Sequence, residues 1–148
     1  MSTTPTLNGQ VIGQAHYATR ALLDRAVAPL GLSFGQAIAL NVLADGAVEQ
    51  ARLVHRITST LKTDEQAVHE VIAHLVDATL VRVDDGTAEP QVRLTDAGHA
   101  TRRRVGAAVA DITTRLYGDI PTDEASVAAQ VLTLVTQRAN AELAALPA

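Results

Sequence analysis

The chain has 148 residues, 47% of them hydrophobic and 2% aromatic, and a formal net charge of −4. That length suits one domain with a real core, and the absence of cysteine excludes disulfides, zinc–thiolate sites, iron–sulfur clusters and thiol nucleophiles. The only rings besides histidine are Tyr17, Phe34 and Tyr117, which argues against a base-stacking platform for single-stranded nucleic acid.

No run approaches the roughly 18 apolar residues of a membrane span. The opening MSTTPTLNGQ has neither the basic start nor the apolar core of a signal peptide, so the expected location is the cytoplasm. A net negative charge runs against duplex affinity, which rests on Lys and Arg neutralising phosphates, although distribution matters more than the total.

In chain order, Leu7, Val11, Ala15, Ala18, Leu22 and Ala26 recur at steps of three and four, predicting a helix over about 7–29 that Pro29 and Gly31 end. Ser33 with Gln36 forms a capping-box signature for a second helix through Ala37, Leu40 and Leu43 to Asp45-Gly46. A third helix is expected over 48–61, with Leu53, Val54, Ile57 and Leu61 on one side. Thr63 and Gln66 read as a second capping box, opening a fourth helix whose stripe is Val68, Val71, Ile72 and Leu75.

The period then changes. Leu80 to Val83 is strand-like, Asp84-Asp85-Gly86 is turn chemistry, Thr87 to Pro90 a loop, and Gln91 to Leu94 a returning strand. Thr95 caps a fifth helix to about Tyr117, with Val105, Val109, Ile112 and Leu116 inside, which Gly118 to Pro121 break. A final helix from Thr122 carries Val127, Val131, Leu132, Leu134 and Val135 nearly all round, a surface that calls for a partner. The expected fold is mainly α with a small β-hairpin: a winged helix-turn-helix plus a helical dimerisation region.

Three other constellations are weak. His69-Glu70-Val71-Ile72-Ala73-His74 misses the zinc-protease pattern, because histidines five apart lie about 140° out of line on a helix, so no metal is expected there. Arg102-Arg103-Arg104 fans over about 200°, more in keeping with a solvated face than a nucleic-acid stripe. Neither a phosphate loop nor a nucleophile elbow occurs, and the adjacent carboxylates fall in turns and caps, so neither catalysis nor a cofactor is expected.

Three stretches resemble the MarR family of bacterial transcriptional regulators. Gly31-Leu32-Ser33 with Gln36 is similar to its "L-[ST]-x-x-Q" helix start. Leu75 to Arg82 resembles its "L-x-x-x-G-L-V-x-R" junction, and Val92-Arg93-Leu94-Thr95-Asp96-Ala97-Gly98 its "v-x-L-T-x-x-G" exit from the wing. In matching order and spacing they cover essentially the whole chain. The resemblance implies a single homodimeric domain, with residues 7–30 and 99–146 as the dimerisation region and 33–98 as the winged helix-turn-helix. It also implies a pseudo-palindromic double-stranded DNA operator, read by two fourth helices in successive major grooves.

On that reading Gln66, His69 and His74 are placed to read bases. Lys62, Thr63, Arg82 and Arg93, with Arg52 and Arg56 nearby, would grip phosphates. The resemblance further implies a small-molecule pocket bordered by the first, second and fifth helices. His16, Tyr17, Arg20, Phe34 and Asn41 are its candidate lining, suited to a phenolic or anionic ligand. Tyr17 and Phe34 could equally be core or dimer contacts.

Departures from the family are specific. Thr79 stands where its junction has glycine, and the wing lacks the usual Asp-x-Arg element. Residues 63–80 hold four carboxylates and no Lys or Arg, and residues 84–90 hold three carboxylates and none either. A ligand-responsive DNA-binding regulator is the expected function. The alternative is a dimer of the same fold that has lost strong DNA binding and holds a small molecule or a partner protein.

Overall fold

The computed structural model describes residues 4–86 and 88–147; Thr87, the first residue of the expected wing loop, lies outside them. Helix α1 runs Gly9–Val27, started by Asn8, whose side chain accepts from the Val11 N–H at 2.9 Å. A 3-10 turn, Ala28–Leu30, follows and closes on Gly31 at φ 76, a left-handed position that glycine adopts freely. The apolar series from Leu7 to Leu22 is exposed, while Val27 enters the core.

Helix α2 runs Phe34–Val42. Its capping box is complete: Ser33 Oγ accepts from the Gln36 N–H at 3.2 Å, and Gln36 Oε1 accepts from the Ser33 N–H at 3.1 Å. The third segment differs from expectation at its start. Val48–Glu49 is a short strand, β1, and helix α3 covers Gln50–Leu61. Two residues are too few to display a period of two, so nothing in the pattern separates them from the helix.

Helix α4, Glu65–Asp77, is capped by Asp64 and not by Thr63. The Thr63 N–H bonds back to the Thr58 carbonyl at 3.3 Å and so finishes the turn after α3, while Asp64 Oδ1 accepts from the Ala67 N–H at 2.8 Å.

Strands β2, Val81–Asp84, and β3, Gln91–Leu94, form the expected hairpin, with β2 one residue later than its sequence pattern. The sheet order is β1-β3-β2, all antiparallel, with Val48 opposite Val92 and Val81 opposite Leu94. Helix α5, Asp96–Tyr117, starts at Thr95, whose Oγ1 accepts from the Gly98 N–H at 3.0 Å; helix α6 is Thr122–Ala145.

The chain divides into two compact units, residues 1–110 and 111–148. The first holds an aliphatic core centred on Leu40, Leu43, Leu53, Ile57, Val68, Leu75 and Val92, and no described residue with a polar side chain is buried there. The second is the end of α5 with α6; it leaves Val127, Leu132, Leu134, Leu143 and Leu146 exposed. Among the described residues no helix is long and apolar enough to cross a membrane.

Candidate functional site

Helix α4 buries Val68, Ile72 and Leu75. At about 100° per residue, the opposite face carries Gln66, Glu70, Ala73 and Asp77, all exposed. Two of those four are carboxylates, and Gln66 Nε2 reaches Glu70 Oε1 at 3.5 Å. Of the three candidate base readers, Gln66 shares that face and the two histidines do not. His69 borders a hollow lined also by Gln50, Ala51, Glu65, Glu89 and Pro90. His74 turns the other way and meets Gln36 of α2, Nδ1 to Nε2 at 3.4 Å.

The candidate phosphate contacts fall into two groups. Lys62 and Thr63 lie in the turn between α3 and α4, where Lys62 takes a left-handed φ of 55. Arg82 and Arg93 stand directly opposite each other on the outer face of the hairpin. Asp84 takes both: its Oδ1 is 3.1 Å from Arg82 Nε and its Oδ2 is 2.8 Å from Arg93 Nε. Of the three carboxylates in residues 84–90, Asp84 is thus paired with two arginines, which a count of charges does not reveal. Cross-strand register is what joins them, and register is not visible before the hairpin is built.

Two further cavities of the first unit bear on the candidate ligand residues. One, of about 220 Å³, has walls from α1, α2 and α5: Leu23, Val27, Phe34, Ile38, Asn41 and Arg102 are among them. The other, of about 430 Å³, is lined in part by Arg20, Asp24, Phe34, Lys62, Thr63 and Val71. Phe34 borders both. Its N–H donates to Asp24 Oδ1 at 3.1 Å, and the Arg20 guanidinium lies over its ring at 4.9 Å, a cation–π contact.

Of the candidate ligand residues, Phe34 and Asn41 meet in the smaller cavity, and Arg20 and Phe34 in the larger. His16 and Tyr17 line neither; their rings lie 5.4 Å apart, tilted at 60°, and Tyr17 is 73% exposed. Arg102 was missed. The fan of three arginines turns one of its members inward, and Arg102 is half-buried at the cavity while Arg103 and Arg104 are exposed. Chemically the smaller cavity is an apolar slot with one cation, Arg102, and one amide, Asn41, at its wall. Among the described residues no three His, Asp or Glu side chains are grouped as metal ligands.

No family model matches the sequence, and no curated protein matches it. Solved structures match its fold over most of its length. A cysteine-to-serine mutant of MarR from E. coli, complexed with operator DNA, superposes with a TM-score of 0.71 at 20% identity, over 86% of this chain and 91% of that one. CouR from Rhodococcus jostii RHA1, bound to p-coumaroyl-CoA, gives 0.73 at 18%, over 86% and 90%. A MarR family protein of Mycobacterium tuberculosis, in complex with p-aminosalicylic acid, gives 0.67 at 20%, over 88% and 99%. With six α-helices among the described residues, the hairpin between α4 and α5 and these superpositions, the chain has the winged helix-turn-helix fold of the MarR regulators.

Proposed function

We propose that the protein is a homodimeric DNA-binding transcriptional regulator whose operator affinity is set by a small phenolic or anionic ligand. The observation that carries this reading is the pairing, within one unit, of an outward-facing α4 beside a hairpin with an apolar cavity walled by α1, α2 and α5. The same fold holds operator DNA in MarR and p-aminosalicylic acid in the mycobacterial protein. In this reading residues 7–30 and 99–146 form the dimerisation region, residues 33–98 read the duplex, and the protein acts by binding rather than by catalysis.

Dimerisation is supported by apolar side chains left exposed on α1 (Val11, Leu22), just before it (Leu7) and, separately, on α6. Cavity size narrows the ligand. About 220 Å³ is close to what one aromatic ring fills, since a cavity of roughly 150 Å³ takes benzene. A single-ring carboxylate or phenol fits it. Bound against Phe34 and Arg102, such a ligand would favour one placement of α2 and α4 and so shift the population of DNA-competent dimers.

A gel shift with the protein's own upstream region at low salt tests the reading; absence of any sequence-specific shift overturns it. A second reading is favoured by the carboxylates of α4. Glu70 and Asp77 occupy the face that would enter the groove, so a dimer that retains the cavity and has lost strong DNA binding is the alternative. It is distinguished by a ligand-dependent rise in Tm without duplex affinity.

A further inference from the structure

Two arginines set directly opposite each other on a hairpin repel. Arg82 and Arg93 are so placed, and Asp84, two residues along β2 from Arg82 and therefore on the same face, lies between their head groups. Each carboxylate oxygen serves a different guanidinium, at 3.1 Å and 2.8 Å. The two free oxygens of a phosphodiester can be divided between two arginines in the same way. Beside the group is a hollow lined by Arg82, Arg93, Leu94, Thr95 and Asp96, which gives an incoming anion room to exchange. The arginines are exposed, at 63% and 48%, and the aspartate half-buried at 34%; ion pairs so open to solvent are weak enough to be replaced.

We infer that Arg82 and Arg93 form a phosphate seat and that Asp84 occupies it as the chain's own competing ligand. The wing then takes a backbone phosphate only by displacing Asp84, and the group offers the duplex one net positive charge instead of two. This rests on the DNA-binding reading and adds to it a residue that sets affinity without touching DNA. Asp84 makes the wing a poor phosphate binder by occupation rather than by lack of cations.

The test is Asp84→Asn, which keeps the shape and removes the charge. Binding to a duplex of about 30 base pairs is followed across roughly 50 to 200 mM salt. Each phosphate gained steepens the slope of log affinity on log salt by about 0.9, so the variant's advantage is about threefold larger at the low end of that range. Adding Arg93→Gln to Asp84→Asn abolishes the gain, while Asp84→Glu keeps the wild-type slope. Asp84→Ser serves if the amide variant does not fold.

A second arm needs no duplex. The Nε–H resonances of Arg82 and Arg93 respond to inorganic phosphate at lower concentration in Asp84→Asn than in the wild type. If no duplex is bound by any variant, the DNA-binding reading falls and the phosphate titration alone decides the seat. Equal salt slopes with measurable binding, or equal phosphate responses, overturn the inference.

Discussion

A Cβ placed on Gly98 would stand 1.9 Å from the carbonyl oxygen of Leu80, well inside any real contact distance. The same oxygen accepts from the Thr95 N–H at 3.0 Å, and the Thr95 hydroxyl donates to the Thr79 carbonyl at 2.6 Å while accepting from Gly98. The "L-T-x-x-G" stretch thus has a mechanical cause: threonine ties the start of α5 to the end of α4, and glycine lets the two backbones meet. Gly98→Ala forces them apart. The expected cost is about 3 kcal/mol or more, seen in denaturant unfolding as a lower midpoint and in heating as a Tm lower by roughly 6–12 °C. A loss under 1 kcal/mol would contradict the close approach.

Thr79 is the left-handed residue of the α4 C-terminus, at φ 60. Its N–H bonds to the Val76 carbonyl and the next N–H, from Leu80, to the Leu75 carbonyl, both at 2.9 Å, which is the Schellman closure that glycine usually completes. A β-branched side chain there carries a cost of about 1–2 kcal/mol, offset in part by the hydroxyl's 2.6 Å contact with the Ala78 carbonyl. Thr79→Gly is expected to stabilise the fold by about 0.5–1 kcal/mol. Thr79→Val, which keeps the branch and loses the hydroxyl, is expected to destabilise it. Reversal of that order in chemical denaturation sinks the argument.

Asp64 has two opposed effects. As N-cap it accepts from Ala67, and as a charge it stands where the helix end would approach phosphate. Asp64→Asn keeps the cap and drops the charge; with Glu70→Gln on the outer face, the pair is expected to leave Tm within about 2 °C. Duplex affinity at low salt is expected to rise about threefold or more. Anisotropy titrations of wild type and variant measure this, and no change in affinity would place α4 outside the interface.

Arg102 is the cation of the smaller cavity. With benzoate as the probe, Arg102→Gln is expected to weaken binding about tenfold, the loss of one charge-assisted hydrogen bond. Phe34→Ala is expected to weaken it as well while lowering stability. Calorimetric titration separates the two, and benzoate binding unaffected by Arg102→Gln assigns the ligand elsewhere.

The exposed apolar residues make self-association testable. Leu22→Asp and Leu132→Asp each place a charge on a side chain that a single chain leaves in solvent. Circular dichroism is expected to be nearly unchanged, while sedimentation velocity shifts from dimer to monomer at micromolar concentration. A monomeric wild type refutes the proposed assembly.

The elements were legible where the pattern is long or the cap chemical. Ser33 with Gln36, Thr95 and the stripe of α4 are read from residue types alone, because capping and a 3.6-residue period act locally. Strand β1 was not, since two residues have no period, and its pairing partner Val92 lies 44 positions on. Thr63 has the residue type of a cap and precedes Gln66 at the right spacing. Nothing local says that its N–H already closes the previous helix. The site was legible only as a list of candidates. Which face His69 and His74 take, that Arg102 turns inward, and that Asp84 joins Arg82 to Arg93 all follow from packing and register.

Phe34 walls both cavities at once, with its backbone held by Asp24 and its ring under Arg20. Two compounds that fill different sides of Phe34 are therefore expected to act as coupled rather than independent inputs, each changing the concentration of the other needed for half-occupancy.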